Sequence, residues 1–555
     1  MPHSTMPHST MDRGAWVVRS GILGTVMATM LGGSGPAKAA DLYVDASAGP
    51  GGDGSRLDPW DQLQDALDVA VAGDVVHVAP GSYGPVATVA DGTDAAPITV
   101  VGEPAGQAVV QGSGTALLAR HLRHTFQGLV FDGGYGAGDA IDADGADSLE
   151  LLDVEVRRAG GDCIDLHTTA GVLVANASIH HCVVDDGGVP GEAHGLVGDQ
   201  IVDVEIRDTQ IFLTSGDAVQ TSAPRLAWSD LRIRRCLFWA GALDEDAGTI
   251  PAGTVIGRSA LSTRVGKALD GAGDPPRVEV EDTIAWGYRG GGAQQAAFDL
   301  KEDVDALIDR VTVYDSAVAF DLRGPAQVRI QTAVLYDVDA AVRYADGLAG
   351  ASVLASTFGA AVTEAFIDGG GDPPVDLRVE NLLVLGDTLP DEAARGRANR
   401  AVGASVFVDV DRHDYHLVAG SEPIDAGVEL DGVTLDRDGT FRPVGDAVDV
   451  GAYEWDGDAP PPPPPPDTDG DSSVGETSGG DSASVDESGG DSTTGSPAPA
   501  PGNPTTGLSM GGGRVTGCGC RGGGSPAPPG LVILLLGVAA RARRRAGRGQ
   551  TRTGR

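Results

Sequence analysis

Lys301 and Arg323 are the residues of this sequence whose types and spacing most suggest chemistry. Each ends a five-residue segment of one pattern, Ala297–Lys301 and Ala319–Arg323, and the segments start 22 residues apart. If such segments stack as neighbours, with Arg264 before them, three cations repel one another. That repulsion would lower the pKa of the Lys301 ammonium, so the pattern predicts a lysine able to act as a general base.

The segments predict the elements that position these side chains. Apolar and polar residues alternate in them, as in a strand with one buried and one exposed face. The pattern occurs earlier as Ala140–Asp144, Cys163–His167 and Ala218–Ser222. Recurrence near 22 to 23 residues predicts an all-β parallel solenoid, in which each turn buries its apolar face against its neighbours.

The outward positions of these strands form two predicted columns, with neighbours about 4.8 Å apart along the solenoid axis. Two weaker segments, Leu196–Asp199 and Leu261–Arg264, complete the columns, although the long gaps around Ser262 make the register least certain there. The first column is Asp142, Asp165, Val197, Gln220, Ser262, Asp299 and Asp321. The second is Asp144, His167, Asp199, Ser222, Arg264, Lys301 and Arg323. The face is therefore acidic at one end and cationic at the other.

Several chemistries fit this face. The acidic turns Asp142, Asp144 and Asp165 could hold a hard cation such as Ca²⁺, because Ca²⁺ prefers oxygen ligands. Two carboxylates on neighbouring turns, as in Asp142/Asp165 or Asp299/Asp321, could serve a glycosidase. For substrate binding the sequence indicates Arg264, Asp299, Asp321, Gln220 and His167. Alternatively, Asp299 with Lys301 and Asp321 with Arg323 form solvated ion pairs of little energetic value.

Composition excludes some partners. The formal net charge of −40 disfavours a phosphate-binding groove, so we expect no nucleic acid. Five cysteines in 555 residues do not indicate a disulfide framework. Cys182 and Cys236 would lie two turns apart, about 9–10 Å, which is too far to bridge, so the cysteines are interpreted as small core residues. Of the histidines, His180 and His181 should project to opposite faces of one strand, and no transition-metal ligand pattern is recognisable.

The chain begins with features of export. Residues 1–40 contain Arg13 and Arg19, an apolar run over Gly21–Leu31 and small residues near Ala39, as in a secretory signal peptide. Residues 41–96 should form an N-terminal cap and the first turns. Asp58 is a predicted N-cap residue with Pro59 at the first helical position. The helix, with Leu63, Ala66, Leu67, Ala70 and Val71 on one face, would cover the open end.

The opening module resembles that of secreted right-handed parallel β-helix proteins of the pectate-lyase type. The resemblance is carried by Leu42-Tyr43-Val44-Asp45, the helix, and Gly73–Tyr83 with its Gly-Asp and Pro-Gly-x-Tyr motifs. It implies a right-handed parallel β-helix over residues 97–400. Within it, Leu243–Ile256 and Val265–Pro276 are inserts of the kind that wall binding grooves.

The rest of the chain indicates closure and anchoring. Residues 401–456, with Asp436-Arg437-Asp438-Gly439 and Asp449–Glu454, resemble the closing module of surface-anchored bacterial β-helix proteins. Residues 457–516 are rich in Pro, then in Ser, Gly and Asp, which predicts a disordered linker. Residues 517–555 hold Cys518 and Cys520, a short apolar run and an arginine cluster, and resemble myxobacterial C-terminal sorting tails. That resemblance implies processing at Cys518 or Cys520, export and sorting machinery as partners, and membrane contact only through the tail.

The spacing of Lys301 and Arg323 resembles the catalytic pair of β-helix alginate and chondroitin lyases of the chondroitinase B kind. The resemblance implies that lysine removes the proton next to a uronate carboxylate, that arginine assists departure of the glycosidic oxygen, and that Ca²⁺ participates. We expect an exported, monomeric, surface-anchored protein that binds an extracellular polysaccharide along one sheet face. The alternatives are a polysaccharide lyase acting by β-elimination and a glycoside hydrolase using paired aspartates.

Overall fold

The computed structural model describes residues 39–222, 228–264, 275–290, 295–345, 347–370 and 377–457. In these residues three long parallel sheets wind into a solenoid of about 11 turns, and helix is scarce. The predicted all-β parallel solenoid is therefore confirmed. The predicted signal peptide, linker and sorting tail, with Cys518 and Cys520, lie outside the described residues.

Each complete turn contributes one strand to each sheet, and sheets 1 and 3 each have two more strands than sheet 2. Sheet 1 consists of Asp41–Val44, Val75–Val78, Ile98–Gly102, His124–Gln127, Glu150–Leu152, Leu173–Ala175, Val202–Arg207, Ser229–Arg234, Arg277–Glu281, Asp305–Asp309, Gln327–Gln331, Gly350–Leu354 and Leu377–Glu380. Sheet 2 consists of Val86–Ala87, Leu117–Ala119, Ile141–Asp144, Ile164–His167, Leu196–Asp199, Val219–Ser222, Leu261–Ser262, Phe298–Leu300, Ser316–Leu322, Val338–Tyr344 and Val362–Asp368. Sheet 3 consists of Gly81–Tyr83, Ala108–Gln111, Leu129–Asp132, Glu155–Arg157, Ser178–His180, Gln210–Phe212, Leu237–Trp239, Ile284–Trp286, Thr312–Tyr314, Val334–Leu335, Thr357–Phe358, Leu383–Leu385 and Arg400–Val402.

The remaining elements are short. Two antiparallel pairs join Gly241–Ala242 to Val255–Ile256 and Phe407–Asp409 to Asp414–Leu417. The α-helices are Leu63–Leu67 and Asp391–Ala394, and the 3-10 helices are Ala404–Val406 and Val410–Arg412. No helix in the described part of the chain is long and apolar enough to cross a membrane.

The strand registers agree with the predicted columns. In sheet 2 the backbone pairs Asp142 with Asp165, Gln220 with Ser262, Ser262 with Asp299, and Asp299 with Asp321. The alignment therefore holds through the long gaps around Ser262, where the sequence left it least certain. The inward side chains of these strands form one continuous apolar core.

The turns between sheets 1 and 3 explain the recurrence of acidic and amide residues there. Asp153, Asn176 and Asp208 each follow a sheet 1 strand and adopt the left-handed conformation, with φ of 53°, 53° and 52°. Short Asx side chains tolerate that conformation better than most residues do. One such residue turns the chain sharply enough for the next strand to start two positions later.

The N-terminal helix starts later than predicted. Its N-cap residue is Gln62 and the helix covers Leu63–Leu67. Asp58 is not the N-cap, because its carbonyl oxygen instead accepts the backbone N–H groups of Asp53 and Gly54 in the preceding turn. The predicted apolar face is buried at Leu63, Ala66, Leu67 and Ala70, whereas Val71 is exposed. That the helix covers the open end stays a prediction.

The interpretation of the cysteines as simple core residues is wrong for two of them. Cys163 and Cys182 form a disulfide with their Cα atoms 5.5 Å apart. Both lie in the connections from sheet 3 to sheet 2 of two successive turns, but Cys163 directly precedes its sheet 2 strand and Cys182 follows its sheet 3 strand. The sequence comparison considered only equivalent positions of stacked strands, which these are not. Cys236 is free and buried, in agreement with the prediction that it does not pair with Cys182.

The segment after residue 400 packs along the last turns. Phe407, Tyr415 and Val450 share an apolar cluster with Val334 and Leu383 of sheet 3. Buried polar groups fasten it further, including the ion pair between Arg442 and Glu454 at 2.7 Å. That this segment caps the open end stays a prediction.

Candidate functional site

A cleft of about 750 Å³ lies on the outer face of sheet 2. Its floor holds Ser262, Arg264, Asp299, Lys301 and Arg323. Its walls and edges comprise Pro190, Ser215, Asp217, Val255, Ile256, Gly257, Arg258, Ser259, Gln295 and Glu302. We call this set the sheet 2 cleft. Four of the predicted site residues, Arg264, Asp299, Lys301 and Arg323, thus come together in one concave site.

Alternation along the strands explains why these polar groups face outward. Phe298 and Phe320 pair across neighbouring turns, are fully buried, and stack in the core with ring centroids 5.3 Å apart. Because side chains alternate along a strand, Asp299 must then point to the outer face. The repeated Phe-Asp-Leu sequence therefore fixes the cleft floor.

Lys301 and Arg323 are joined through one carboxylate. The Lys301 ammonium contacts Asp299 and donates to the Ser262 hydroxyl at 2.9 Å, and the Arg323 guanidinium contacts the other oxygen of Asp299. The predicted column of repelling cations is instead an alternating network, because Asp299 is shared between them. Proton abstraction by Lys301 would require its contact with Asp299 to break.

Asp321 continues this network beneath the surface. It is 1% exposed and accepts hydrogen bonds from Arg343 at 2.9 and 2.8 Å. Arg323 lies 3.1 Å from the same carboxylate. Asp299 and Asp321 do occupy neighbouring turns, as predicted for a glycosidase pair, but both carboxylates are occupied by cations.

Arg264 differs from the other cations of the cleft. Arg258 pairs with Glu192, and Lys301 and Arg323 pair with Asp299. The exposed Arg264 guanidinium has no carboxylate partner among the residues that the structure describes. Its backbone is nevertheless fixed, since its N–H donates to Thr221 Oγ1 at 2.9 Å and its carbonyl accepts from Trp228 Nε1 at 2.9 Å. The site therefore presents an anchored cation that no carboxylate of the described residues neutralises.

A buried polar group lies at the cleft edge. Asp217 is 5% exposed, and burial raises the pKa of its carboxyl to about 6, with Lys301 opposing the shift and Asp299 adding to it. Its backbone N–H donates to His194 Nδ1 at 2.9 Å. Burial lowers the pKa of His194 to about 4, so this ring is neutral and carries its proton on Nε2. The Gln220 amide nitrogen lies 2.6 Å from His194 Nε2. Two N–H groups cannot share a hydrogen bond, so we infer that the amide is turned with its oxygen toward that N–H.

Gln220 and His167, like the buried Asp321, were predicted to bind substrate but lie outside the cleft lining. Gln220 is buried under the sheet face beside His194. His167 is half-exposed, 2.8 Å from Asp165 and 3.8 Å from Asp199. Both belong to the predicted columns but are not part of the concave site.

At the acidic end, the carboxylates that could share a cation differ from the predicted set. Among the described residues, Asp139, Asp162 and Asp165 form a group that could hold a metal ion, since one carboxylate oxygen of each lies within 4.8 Å of the others. Asp142 is instead bound to Arg120 at 2.7 Å, and Asp144 is exposed. Only Asp165 is common to both sets. Three carboxylate oxygens would suit a hard cation such as Ca²⁺, which a cluster of this chemistry could hold.

Burial and mutual repulsion raise the pKa values of these three carboxyl groups. Burial raises the pKa of Asp162 to about 7, and the charges of Asp139, Asp165 and Glu192 add to it. Burial likewise raises the pKa of Asp165 to about 6 and raises the pKa of Asp139. The folded protein therefore binds protons between pH 4 and 7 that the unfolded chain does not bind.

This predicts a stability that falls as pH rises. Because the folded-state pKa lies above the unfolded value, the contribution is present at pH 4 and is lost as pH rises through about 7. In urea unfolding, Asp162→Asn should be more stable than wild type at pH 8 by roughly 1–3 kcal/mol and should flatten the pH profile. In the variant the asparagine oxygen can still accept the backbone N–H of His194, which Asp162 accepts in the wild type.

Asp144→Asn, at an exposed position, is the control for this experiment. An unchanged pH profile in Asp162→Asn would refute the assignment. Added Ca²⁺ that stabilises the wild type but not Asp162→Asn would indicate a bound cation.

The sequence reasoning missed an aromatic stack on the outer face of sheet 3. Phe212 lies between His180 and Trp239, at centroid distances of 4.7 and 4.0 Å, and Trp286 lies between Trp239 and Tyr314 at 4.9 and 5.6 Å. Tyr336 continues it, 5.0 Å from Tyr314. The aromatic third position of successive sheet 3 strands could have revealed it.

This stack is poorly suited to sugar binding despite its aromatic content. Neighbouring rings are nearly parallel, with interplanar angles between 4° and 17° from His180 to Tyr336. Both faces of each internal ring are therefore covered by other rings, and only ring edges remain. A sugar ring cannot lie flat on such a surface, so we interpret the stack as a stabilising ladder.

The fold defines the class of protein, a parallel β-solenoid. The chain matches no protein-family model and no curated protein. Among solved structures it is similar to the pectate lyase Pel9A, with 14% identity and a TM-score of 0.40 over 75% of this chain and 97% of that one. It is also similar to a rhamnogalacturonan lyase, with 13% identity and a TM-score of 0.42 over 66% and 90%. An alginate lyase from a Paenibacillus species has 14% identity and a TM-score of 0.34 over 62% and 98%.

Proposed function

We propose that this protein binds an acidic polysaccharide along sheet 2, with a sugar carboxylate held in the sheet 2 cleft. The observation that carries the proposal is Arg264, an anchored cation in a cleft with no carboxylate partner among the described residues. A planar guanidinium pairs with a carboxylate through two parallel hydrogen bonds. A uronate carboxylate is the anion that supplies this geometry on a glycan.

The charge of the whole chain makes this cationic cleft selective. A protein of net charge −40 repels polyanions at long range. In the cleft lining four cations face three acidic residues, Asp217, Asp299 and Glu302, so the site is only slightly positive. Binding should therefore need close contact and should weaken with salt. The proposed location is the cell surface, on the basis of the predicted signal peptide and sorting tail.

A β-eliminating lyase is the second candidate. Lys301 and Arg323, on neighbouring turns, line the same cleft, as that reaction requires. The contact of Lys301 with Asp299 favours the binding role, since a base needs a free nitrogen lone pair. A glycosidase finds less support, because Asp142, Asp299 and Asp321 are each paired with a cation.

Calorimetric titration with an oligouronate and its carboxyl-reduced counterpart tests the proposal. The proposed contact predicts at least tenfold weaker binding of the reduced, neutral ligand, a difference of about 1.4 kcal/mol. Equal affinity for both ligands, or no binding of either, would refute it. In the same samples, absorbance of an unsaturated product that disappears in Lys301→Ala would show a lyase, and binding without product would show a binding protein.

A further inference from the structure

One buried carboxyl group at the edge of the sheet 2 cleft has no cation bound to it. Asp217 is 5% exposed and lines the cleft, and no ion pair joins it to a lysine or an arginine among the residues that the structure describes. Asp299 and Asp321, by contrast, are buried carboxylates that are each held by two cations. A buried charge without a partner is costly, so such a group tends to take up a proton instead.

His194 does not neutralise this carboxylate, although its ring lies beside it. Its Nδ1 is 3.8 Å from an Asp217 oxygen and accepts the backbone N–H of Asp217 at 2.9 Å. A ring nitrogen that accepts a hydrogen bond carries no hydrogen, so this atom has none to donate to the carboxylate. Burial raises the pKa of the Asp217 carboxyl by more than the hydrogen bond from the Ser259 side chain lowers it.

The other ionisable groups around Asp217 leave this balance in place. Besides burial, which raises the pKa of its carboxyl to about 6, Lys301 and Arg258 lower the pKa and Asp299 raises it. Both cations are engaged with a carboxylate of their own. Tyr288 is neutral, because burial raises the pKa of its phenol well above the ordinary value. Asp217 is therefore a buried acid of the cleft that can gain a proton in mildly acidic solution.

An anionic ligand in the cleft shifts this balance further. The proposed uronate carboxylate pairs with Arg264, which lines the same cleft as Asp217. A negative charge brought into the cleft raises the pKa of Asp217, because it disfavours a second negative charge. The protonated carboxyl also has an O–H to donate, whereas the carboxylate can only accept. Since the oxygen atoms of a uronate can accept that hydrogen, the ligand favours the protonated form of Asp217 in two ways.

We propose that Asp217 acts in the sheet 2 cleft as a carboxylic acid that donates a hydrogen bond to the bound uronate, so that binding takes up a proton. Because it concerns the proposed ligand, this role rests on the proposed function. The proton moves from solvent to an Asp217 oxygen, and no bond of the sugar changes. Since the pKa of Asp217 is then higher in the complex than in the free protein, affinity is greatest below about pH 6. It falls as pH rises above 6 and levels off beyond the pKa of the complex.

Calorimetric titration of the full protein from pH 5 to 9, with trigalacturonate or trimannuronate, whichever binds more tightly, tests the proposal. A shift of one pKa unit on binding predicts affinity about tenfold weaker at pH 9 than at pH 5. It also predicts uptake of about half a proton at pH 6.5, measured by comparing buffers of different ionisation enthalpy. Asp305→Asn, at an exposed position outside the cleft, should behave like wild type.

Two variants separate Asp217 from the other groups of the cleft. Asp217→Asn cannot ionise but keeps an N–H to donate, so it should bind at every pH about as tightly as wild type does at pH 5, without proton uptake. Ser259→Ala removes the hydrogen bond that favours the ionised form, so it should move the fall in affinity to higher pH. Thermal unfolding of each variant checks that it is folded.

Wild-type affinity that does not change between pH 5 and 9 would overturn the proposal and leave the proposed function standing, because binding itself is observed. An Asp217→Asn variant that keeps the wild-type pH dependence would also overturn it, since another group would then take up the proton. Infrared spectra without ligand give an independent test. The carboxyl absorption lost between pH 5 and 7 should be smaller in Asp217→Asn than in wild type, and equal losses would overturn the proposal even if no glycan binds.

Discussion

Arg442→Met should lower the free energy of unfolding by about 3–5 kcal/mol, because it removes one partner of a buried ion pair. The side chains of Arg442 and Glu454 are 2% and 0% exposed. Arg442 also donates to the carbonyl oxygens of Gly451 and Asp449, at 2.8 and 3.2 Å. Methionine fills much of the volume but removes the cation that neutralises the buried Glu454 carboxylate, which keeps only the backbone N–H groups of Val444 and Asp449 as donors, and it removes the donor to two carbonyl oxygens. Urea unfolding at neutral pH measures the loss.

Two further variants separate the ion pair from general damage. Arg412→Met removes an arginine whose side chain is 86% exposed and should change stability by less than about 0.5 kcal/mol. Arg442→Met combined with Glu454→Gln should be less destabilised than the sum of the single variants, since no unpaired charge stays buried. A loss below about 1 kcal/mol in Arg442→Met would contradict the account of this segment.

Asp299→Asn should destabilise the protein and at the same time strengthen the binding of a polyuronate. Asp299 is the shared partner of Lys301 and Arg323, and its side chain is 9% exposed. Without its charge the two cations face each other, which should cost about 2–3 kcal/mol. The same cations become available to a ligand carboxylate, so affinity should rise about tenfold.

Opposite signs in the two measurements distinguish a binding cleft from a purely structural network. Asp305→Asn, at an exposed position outside the cleft, is the matched control and should change neither quantity. If Asp299→Asn lowers stability and leaves affinity unchanged, the Lys301 and Arg323 pair stabilises the sheet without contacting the ligand.

The sequence was sufficient for the repeat, the strand register and the cleft floor. Alternation in Ala297–Lys301 and Ala319–Arg323 determines which side chains face outward, and the solenoid period determines which of them are neighbours. The wall insert was also expected as a groove wall, and Val255 and Ile256 do line the cleft. These features depend on local pattern and on stacking.

Features that depend on contacts across a turn were not predictable in this way. The Cys163–Cys182 disulfide joins the sheet 3 to sheet 2 connections of two successive turns, at positions that the alignment of stacked strands does not equate. The pairing of Asp142 with Arg120 requires a residue that follows the preceding sheet 2 strand. The prediction that His180 and His181 project to opposite faces is wrong, because His181 changes the direction of its ring through one backbone angle, with φ of 57°, which alternation along a strand does not anticipate.

Titration of an oligouronate into wild type and Arg264→Gln tests the central claim most directly. Arg56→Gln is the control, since Arg56 is exposed and lies outside the cleft. Loss of the Arg264 guanidinium should weaken binding at least tenfold with unchanged thermal stability, while Arg56→Gln binds like wild type. Equal affinities of wild type and Arg264→Gln would contradict the claim that the sheet 2 cleft holds the carboxylate of an acidic polysaccharide.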